Sequence, residues 1–483
     1  MECQQDNLQF FLDFKDNVCY INKLSCQFSY PEIAAYFSKF LGEKKMSRNR
    51  NPFWYVACMI LLLSGTFAAA IFFYCRFATA SSVPTAATWI WRGLSLMLLI
   101  YVAYIIIRAL FYRTPRVMNE NDLPGCTVLV PVFNEGKGVA VSLKSLLACN
   151  YPQEKLEIIA INDGSEDDTL EWLQRTADAH PGRIKILSYT RNSGKKAALC
   201  AGVREAKYEY IITVDSDSVV EPDSLQAIVS GFTDPSVGAV AGNLRVLNIR
   251  EGVIPCMMDV AFLFVCEIIR TTQSLDACVM CTPGALSGYR RSLMLKLMDR
   301  WLAQHFLGVP AKIGEDRALA TMILTSGYKI VFARNATVRT IMPIDYPSMC
   351  KVLLRWTRSD IRENFLLLNW LIRQHRWSGR LAAMWYHNII QTCNTILPSL
   401  FLPTLAAVAL FAPWPTLKIC LSAALLLGVL LAAIPALVYA KQVSWLRSSW
   451  AFALSVFNLF GLSWIPLYSF ITLRNTDWLT RKK

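Results

Sequence analysis

Three short stretches of the chain place acids and bases where a reaction would need them. "GED" sets Glu315 and Asp316 side by side at the start of a helical pattern, "VDSDS" sets Asp215 and Asp217 two apart after an apolar run, and "LLRWTRSD" carries Arg355 and Trp356. Adjacent acids suit a general base whose neighbour raises its pKa by like charge, and they equally suit negative charge at a helix N-terminus. Strand geometry would put Asp215 and Asp217 on one face. There they would share a hard cation such as Mg2+ or Mn2+ with a diphosphate, since these ions accept carboxylate and phosphate oxygens together. A solvated turn with capping aspartates is the competing reading. A Trp beside an Arg can stack on a sugar ring while the guanidinium pairs with diphosphate, and an Arg-rich amphipathic segment can also lie on anionic lipid.

Two weaker signals belong to the same region. Asp163 in "NDGSEDDT" stands at a tight turn, where it suits a nucleoside hydrogen bond or the start of the next helix. "RNSGKKAAL" offers a flexible turn followed by Lys195 at a helix start, either a phosphate contact or a solvated basic turn.

These residues need a scaffold, and the region from Gly125 onward supplies one in pattern. "CTVLVPVFN", "LEIIAINDGS", "IKILSYT" and "YIITVDSDS" read as strands, with "KGVAVSLKSLLAC", "DDTLEWLQRTADAH" and "KKAALCAGVREA" as the helices between them. The alternation predicts an α/β fold with a doubly wound, mostly parallel sheet and ligands at the carboxyl ends of its strands. No G-x-G-x-x-G loop follows the first strand, which weighs against dinucleotide binding.

Around this region the chain is apolar: hydrophobic residues make up 54% and charged residues only 17%. Runs at 53–75 and 89–112 precede it, and runs near 386–411, 417–439 and 450–473 follow. Each is long enough for a span of about 20 residues, although prolines interrupt the later ones. Basic residues at Lys44, Lys45, Arg48 and Arg50, and again at Arg108, Arg113 and Arg116, predict a multi-pass protein of the plasma (inner) membrane with the α/β region in the cytoplasm. The opening "MECQQDNLQFF" lacks the basic stretch and apolar core of a cleaved signal. The net charge of +14 flanks membrane segments and fits orientation and anionic lipid, with no nucleic-acid motif. The fifteen cysteines read as reduced, buried thiols.

In this order, the strand-tip acids, "DSDS", "GED" and "RW" resemble the inverting family 2 glycosyltransferases of GT-A fold. More narrowly, they resemble the processive membrane synthases that include hyaluronan and nodulation chitin-oligosaccharide synthases. The resemblance covers about residues 124–365 and the flanking runs. It implies a GT-A-like sheet inserted between groups of transmembrane helices. It also implies that Asp163, Lys195, Asp215 and Arg355 hold the donor nucleotide, that Asp217 holds the metal, Mg2+ or Mn2+, and that Asp316 is the catalytic base. Trp356 and Glu315 then fall on the acceptor side. The family's "QxxRW" glutamine is Val352 here, and "CTPGALSGYRRS" is similar but not identical to the acceptor-side "GPLxxYR" segment.

The expected protein polymerises a sugar from a UDP-sugar into a β-linked polysaccharide on a growing glycan acceptor and passes it through the lipid bilayer. Two alternatives stand beside it: a single transfer to a lipid carrier, and a non-catalytic membrane receptor for a nucleotide or glycan. The expected organisation is a cytoplasmic extension (1–50), two spans (51–113), the catalytic domain (121–345), interfacial amphipathic helices with the RW motif (346–384), and a bundle of about three spans (385–475).

Overall fold

The computed structural model describes residues 100, 102–374, 379–411 and 414–477, all within one compact unit. The expected run at 53–75 and the extension 1–50 lie outside the described residues, as does most of the run at 89–112. The described part of the latter is a helix over Val102–Phe111.

The centre is an eight-stranded sheet in the order β3-β2-β1-β4-β7-β6-β10-β5. Its strands are β1 (Cys126–Val132), β2 (Leu156–Asp163), β3 (Ile184–Tyr189), β4 (Tyr210–Thr213), β5 (Ser218–Val220), β6 (Val237–Val246), β7 (Ser287–Arg290) and β10 (Lys329–Thr340). Two short strands, β8 (His305–Phe306) and β9 (Val309–Pro310), pair in a separate hairpin. β1 to β4 run parallel, β7 lies antiparallel to both β4 and β6, and β5 closes the far edge antiparallel to β10. All seven residues of β1 are buried, as expected of a strand covered on both faces. After β3 the chain returns to the other side of β1. The carboxyl ends of β1, β2 and β4 therefore flank a topological switch, the place where open α/β sheets form clefts.

Helices α1 (Gly138–Leu147), α2 (Thr169–Asp178) and α3 (Lys195–Glu205) fall where the apolar pattern predicts. α4 (Arg291–Leu302) follows β7, and α5 (Glu315–Thr325) precedes β10. The segment expected as several interfacial helices begins as one 27-residue helix, α6 (Tyr346–Ile372). The Asp345 carboxylate caps it by accepting the Ser348 N–H at 2.8 Å, and Pro347 occupies the first turn, where a missing N–H costs nothing.

Beyond α6 lies α7 (Arg380–Ile396). Among the described residues one helix is long and apolar enough to cross a membrane, Arg380–Ala407. A bent pair, Leu446–Leu462 and Trp464–Ile471, meets at 41° and would add a second. The run near 417–439 is helical within Trp414–Gln442. Asp276 joins the helix over Val102–Phe111 to α7. Its carboxylate accepts from Tyr104 Oη at 2.8 Å and from Arg108, and it lies 2.8 Å from His387 Nε2 of α7.

Candidate active site

The tips of β1 and β2 are stitched together first. Asn134 N–H donates to Ser165 Oγ at 3.0 Å and Asn134 Oδ1 accepts the Glu166 N–H at 2.9 Å. Gly164 has φ +71°, and a Cβ there would stand 2.6 Å from the Arg191 and Asn192 backbone, so the turn admits only glycine. The loop held this way is the one that carries Lys195. Asp163, 4% exposed, accepts the N–H groups of Ser193 (2.9 Å) and Gly194 (2.8 Å), so its carboxylate braces that loop. Burial raises its pKa, and the two N–H bonds oppose the rise.

Asp215 and Asp217 lie past the end of β4, in a turn closed by Ser218 N–H donating to Asp215 O at 3.1 Å. The turn brings both acids to one cleft, since strand alternation stops at Thr213. Lys195 Nζ donates to Asp215 Oδ1 at 2.6 Å and lies 2.7 Å from Glu315 Oε1, which joins the donor-side acid to "GED" across 120 residues of sequence. Burial works against the Lys195 charge, but the two carboxylates override it and raise its pKa. Gly284 keeps room at this junction: a Cβ there would sit 2.7 Å from Lys195 Nζ and 3.1 Å from Asp215 Oδ2.

α5 opens on Gly314, in the left-handed region at φ +67° and packed against Ser359. Glu315 lines the cleft, is 5% exposed and takes its counter-charge from Lys195. Against the cost of burial, the Lys195 ammonium and then the Arg355 charge hold its carboxyl well below the ordinary range. Asp316 is half-buried. Burial first, and the Glu315 charge second, raise its pKa to about 6, with Lys195 opposing. Its Oδ1 accepts the Arg317 N–H at 2.7 Å. The pair thus splits into a firmly ionised member and a member poised near neutrality, the pattern expected of a general base.

α6 forms the opposite wall. Val352, Arg355, Trp356, Ser359 and Asp360 recur at helical spacing along one face, and Trp356 packs on Phe262 with ring centroids 6.2 Å apart. All eight residues singled out in the sequence (Asp163, Lys195, Asp215, Asp217, Glu315, Asp316, Arg355 and Trp356) line a single cleft of about 2060 Å3. That is roughly twice a large small-molecule pocket, so a donor and an acceptor can fit together.

Among the described residues no cluster of three metal-ligating side chains occurs. The oxygen pair Asp215 and Asp217 still fits a hard dication of the Mg2+ or Mn2+ kind, which commonly takes one or two carboxylates and completes its shell with phosphate oxygens and water.

Sequence reasoning missed Arg317, which is 1% exposed. It donates to Asn364 Oδ1 at 2.7 Å and lies 3.5 Å from Asp360, tying the residue after Asp316 to α6. The available signal was a basic residue on the apolar face of "RALATMIL". The C-x-x-C spacing of Cys278 and Cys281 was also passed over. Both are free thiols, as are Cys126, Cys149, Cys200, Cys256, Cys266, Cys350 and Cys393.

Comparison with known proteins adds three findings. Residues 127–297 match the family described as Glycosyl transferase family 2. The chain is 30% identical over 403 residues to an N-acetylglucosaminyltransferase of Rhizobium meliloti (strain 1021), covering 80% of this chain and 90% of the relative. It is 30% identical over 370 residues to one of Rhizobium leguminosarum bv. viciae, covering 75% and 83%. Among solved structures it resembles a mannosyltransferase from Pyrobaculum calidifontis in complex with GDP-Man and Mn2+. The TM-score is 0.54 at 22% identity, over 76% of this chain and 95% of the other, a likeness of fold.

Proposed function

The chain belongs to glycosyl transferase family 2 and is a nucleotide-sugar glycosyltransferase with a GT-A-like sheet; from that premise we propose that it transfers N-acetylglucosamine from its UDP donor to the end of a growing β-linked glycan. The observation that carries the proposal is the poised Asp316, set beside an ionised Glu315 and linked through Lys195 to Asp215 in a cleft roomy enough for both substrates. The choice of sugar is supported by the names of the rhizobial relatives. Those relatives, and the full set of acids, argue against a non-catalytic receptor.

In this reading Asp316 accepts the proton of the acceptor hydroxyl as its oxygen attacks the anomeric carbon. The bond to the diphosphate breaks on the opposite side, and the products are the inverted glycoside and UDP. Glu315 and Lys195 position and tune the base. Asp163 braces the Lys195 loop at the nucleotide end, and Arg355 supplies positive charge beside Glu315. Asp217, with Asp215, would hold Mg2+ or Mn2+, which when bound offsets the negative charge of the leaving diphosphate. Trp356 offers its indole as the platform for the acceptor sugar, with Phe262 fixing the ring.

The same reading puts the catalytic domain (121–345) on the cytoplasmic face and has the product leave past α6 through the C-terminal helices. The lining of the cleft by Gln391, Asn394 and Thr395 of α7 supports that route. A second reading, one transfer to a lipid-borne acceptor, is favoured by Val352, which puts an apolar side chain on the cleft wall one turn from Trp356.

The test is incubation of the purified membrane protein with a panel of labelled nucleotide sugars and Mg2+ or Mn2+, with product size read on a gel. A ladder from UDP-N-acetylglucosamine alone supports the proposal. A single-sugar lipid adduct supports the second reading, and transfer from a different sugar donor removes the assignment of the sugar.

A further inference from the structure

A second cavity, of about 410 Å3, lies behind the catalytic segment and shares no lining residue with the cleft. It is walled by the C-terminal ends of α4 and α6 and the C-terminal half of α5. Its rim is basic: Arg300, Arg373 and His305 are all exposed. Among the described residues the side chains of Arg300 and Arg373 make no ion pair or hydrogen bond. Trp370 adds an indole to the wall, and Thr321, Thr325 and Asn369 add polar groups.

Its inner wall holds Glu363, which is 0% exposed. Glu363 Oε1 accepts from Gln304 Nε2 at 2.9 Å and from Arg362 Nε at 2.8 Å, while Oε2 has no hydrogen-bond partner. A fully buried carboxylate oxygen without a donor is costly to leave, and a ligand hydroxyl is the group that would satisfy it. The cavity therefore combines guanidinium groups for a phosphate, an indole face for a ring or glycerol unit, and an orphaned acceptor for a hydroxyl.

The inner wall also reaches the catalytic segment. Arg362, held by Glu363, donates to Ile313 O at 2.9 Å and to Gly314 O at 3.4 Å, the two carbonyls that precede Glu315 and Asp316. Gln304 accepts from Lys196 Nζ at 3.2 Å, next in the chain to Lys195. Glu363 is thus connected by hydrogen bonds to the residues that precede Glu315 and, through Gln304, to Lys196 beside Lys195.

We propose that this cavity is an effector site for a hydroxylated phosphate ester, and that its occupation shifts the Asp316 segment through Glu363 and Arg362. The ester can come from a soluble sugar phosphate or from the glycerophosphate headgroup of an anionic lipid. Binding is independent of what the main cleft transfers. The effect on rate rests on Asp316 being the base.

The experiment measures Tm and UDP release for the full chain in phosphatidylcholine nanodiscs. It adds N-acetylglucosamine 6-phosphate in one arm, phosphatidylglycerol in the lipid in a second, and inorganic phosphate in a third. The expected result is a saturable rise in Tm without donor, and about a fivefold change in UDP release, in the first or second arm. Both should vanish in the Arg300→Ala, Arg373→Ala double variant, whose rate without effector stays at the wild-type value. Trp370→Phe provides a second variant, with weakened binding expected. No response to either ester, an equal response in the double variant, or full reproduction by inorganic phosphate each overturns the proposal.

Discussion

Replacing Glu315 by Gln removes the like charge beside Asp316 and leaves burial in place. Asp316 stands near 6 against an ordinary 3.8, with burial the larger cause and Glu315 the next. Removing the smaller cause should lower it by about one pH unit, and Lys195, freed of one carboxylate, acts in the same direction. The sign follows from the role: a base works when deprotonated, so wild-type activity rises with pH through about 6, and the variant's rise should come at about 5. At pH 5 the wild type would hold roughly a tenth of its base ionised and the variant about half, so relative activity there should increase about fivefold. The assay is kcat/KM for UDP release from pH 4.5 to 8.5, each point divided by its plateau. UDP affinity and Tm serve as controls, because Asp215 still compensates Lys195. An acid limb that stays in place or moves upward, with both controls near wild type, would refute the coupling of the pair.

Three further substitutions test the surrounding geometry. Gly314→Ala puts a Cβ at φ +67° and 2.1 Å from Ser359 Cβ, so stability should fall by about 2 kcal/mol or more, read as a lower midpoint in denaturant, with a matching loss of transfer; unchanged stability would contradict the packing of α5 on α6. Asp217→Ala should abolish the metal dependence of UDP affinity, measured by titration with and without Mn2+, and a retained dependence removes Asp217 as the metal ligand. Trp356→Ala should shorten the product and lower its yield more than it lowers donor hydrolysis, seen on a gel beside UDP release; unaltered length and yield would leave Trp356 as an anchor only.

The first half of the catalytic domain was open to sequence reading because each element there carries its own signal. β1 and β2 are short apolar runs ending in polar tips, and α1, α2 and α3 follow at regular spacing. What the sequence hid depends on contacts between distant segments. β7 is four residues of "SGYR" with no strand period of its own, and it exists because it pairs with both β4 and β6. The ion pair from Lys195 to Glu315 spans 120 positions, so nothing local showed that Glu315 has a buried counter-charge. Asp163 was legible as a strand-tip acid, but its use as a brace follows from the Gly164 turn and the approach of Ser193 and Gly194. Residue types and order located the cleft, whereas the contacts among its acids required the packed structure.

The central claim is that Asp316 removes the proton of the acceptor hydroxyl. Asp316→Asn keeps the shape of the side chain and removes the basic group, so the decisive measurement is its turnover beside its affinity for UDP in one preparation. The account predicts a loss of about 10²-fold or more in transfer, with UDP binding near the wild-type value. Turnover close to wild type with intact UDP binding would contradict it.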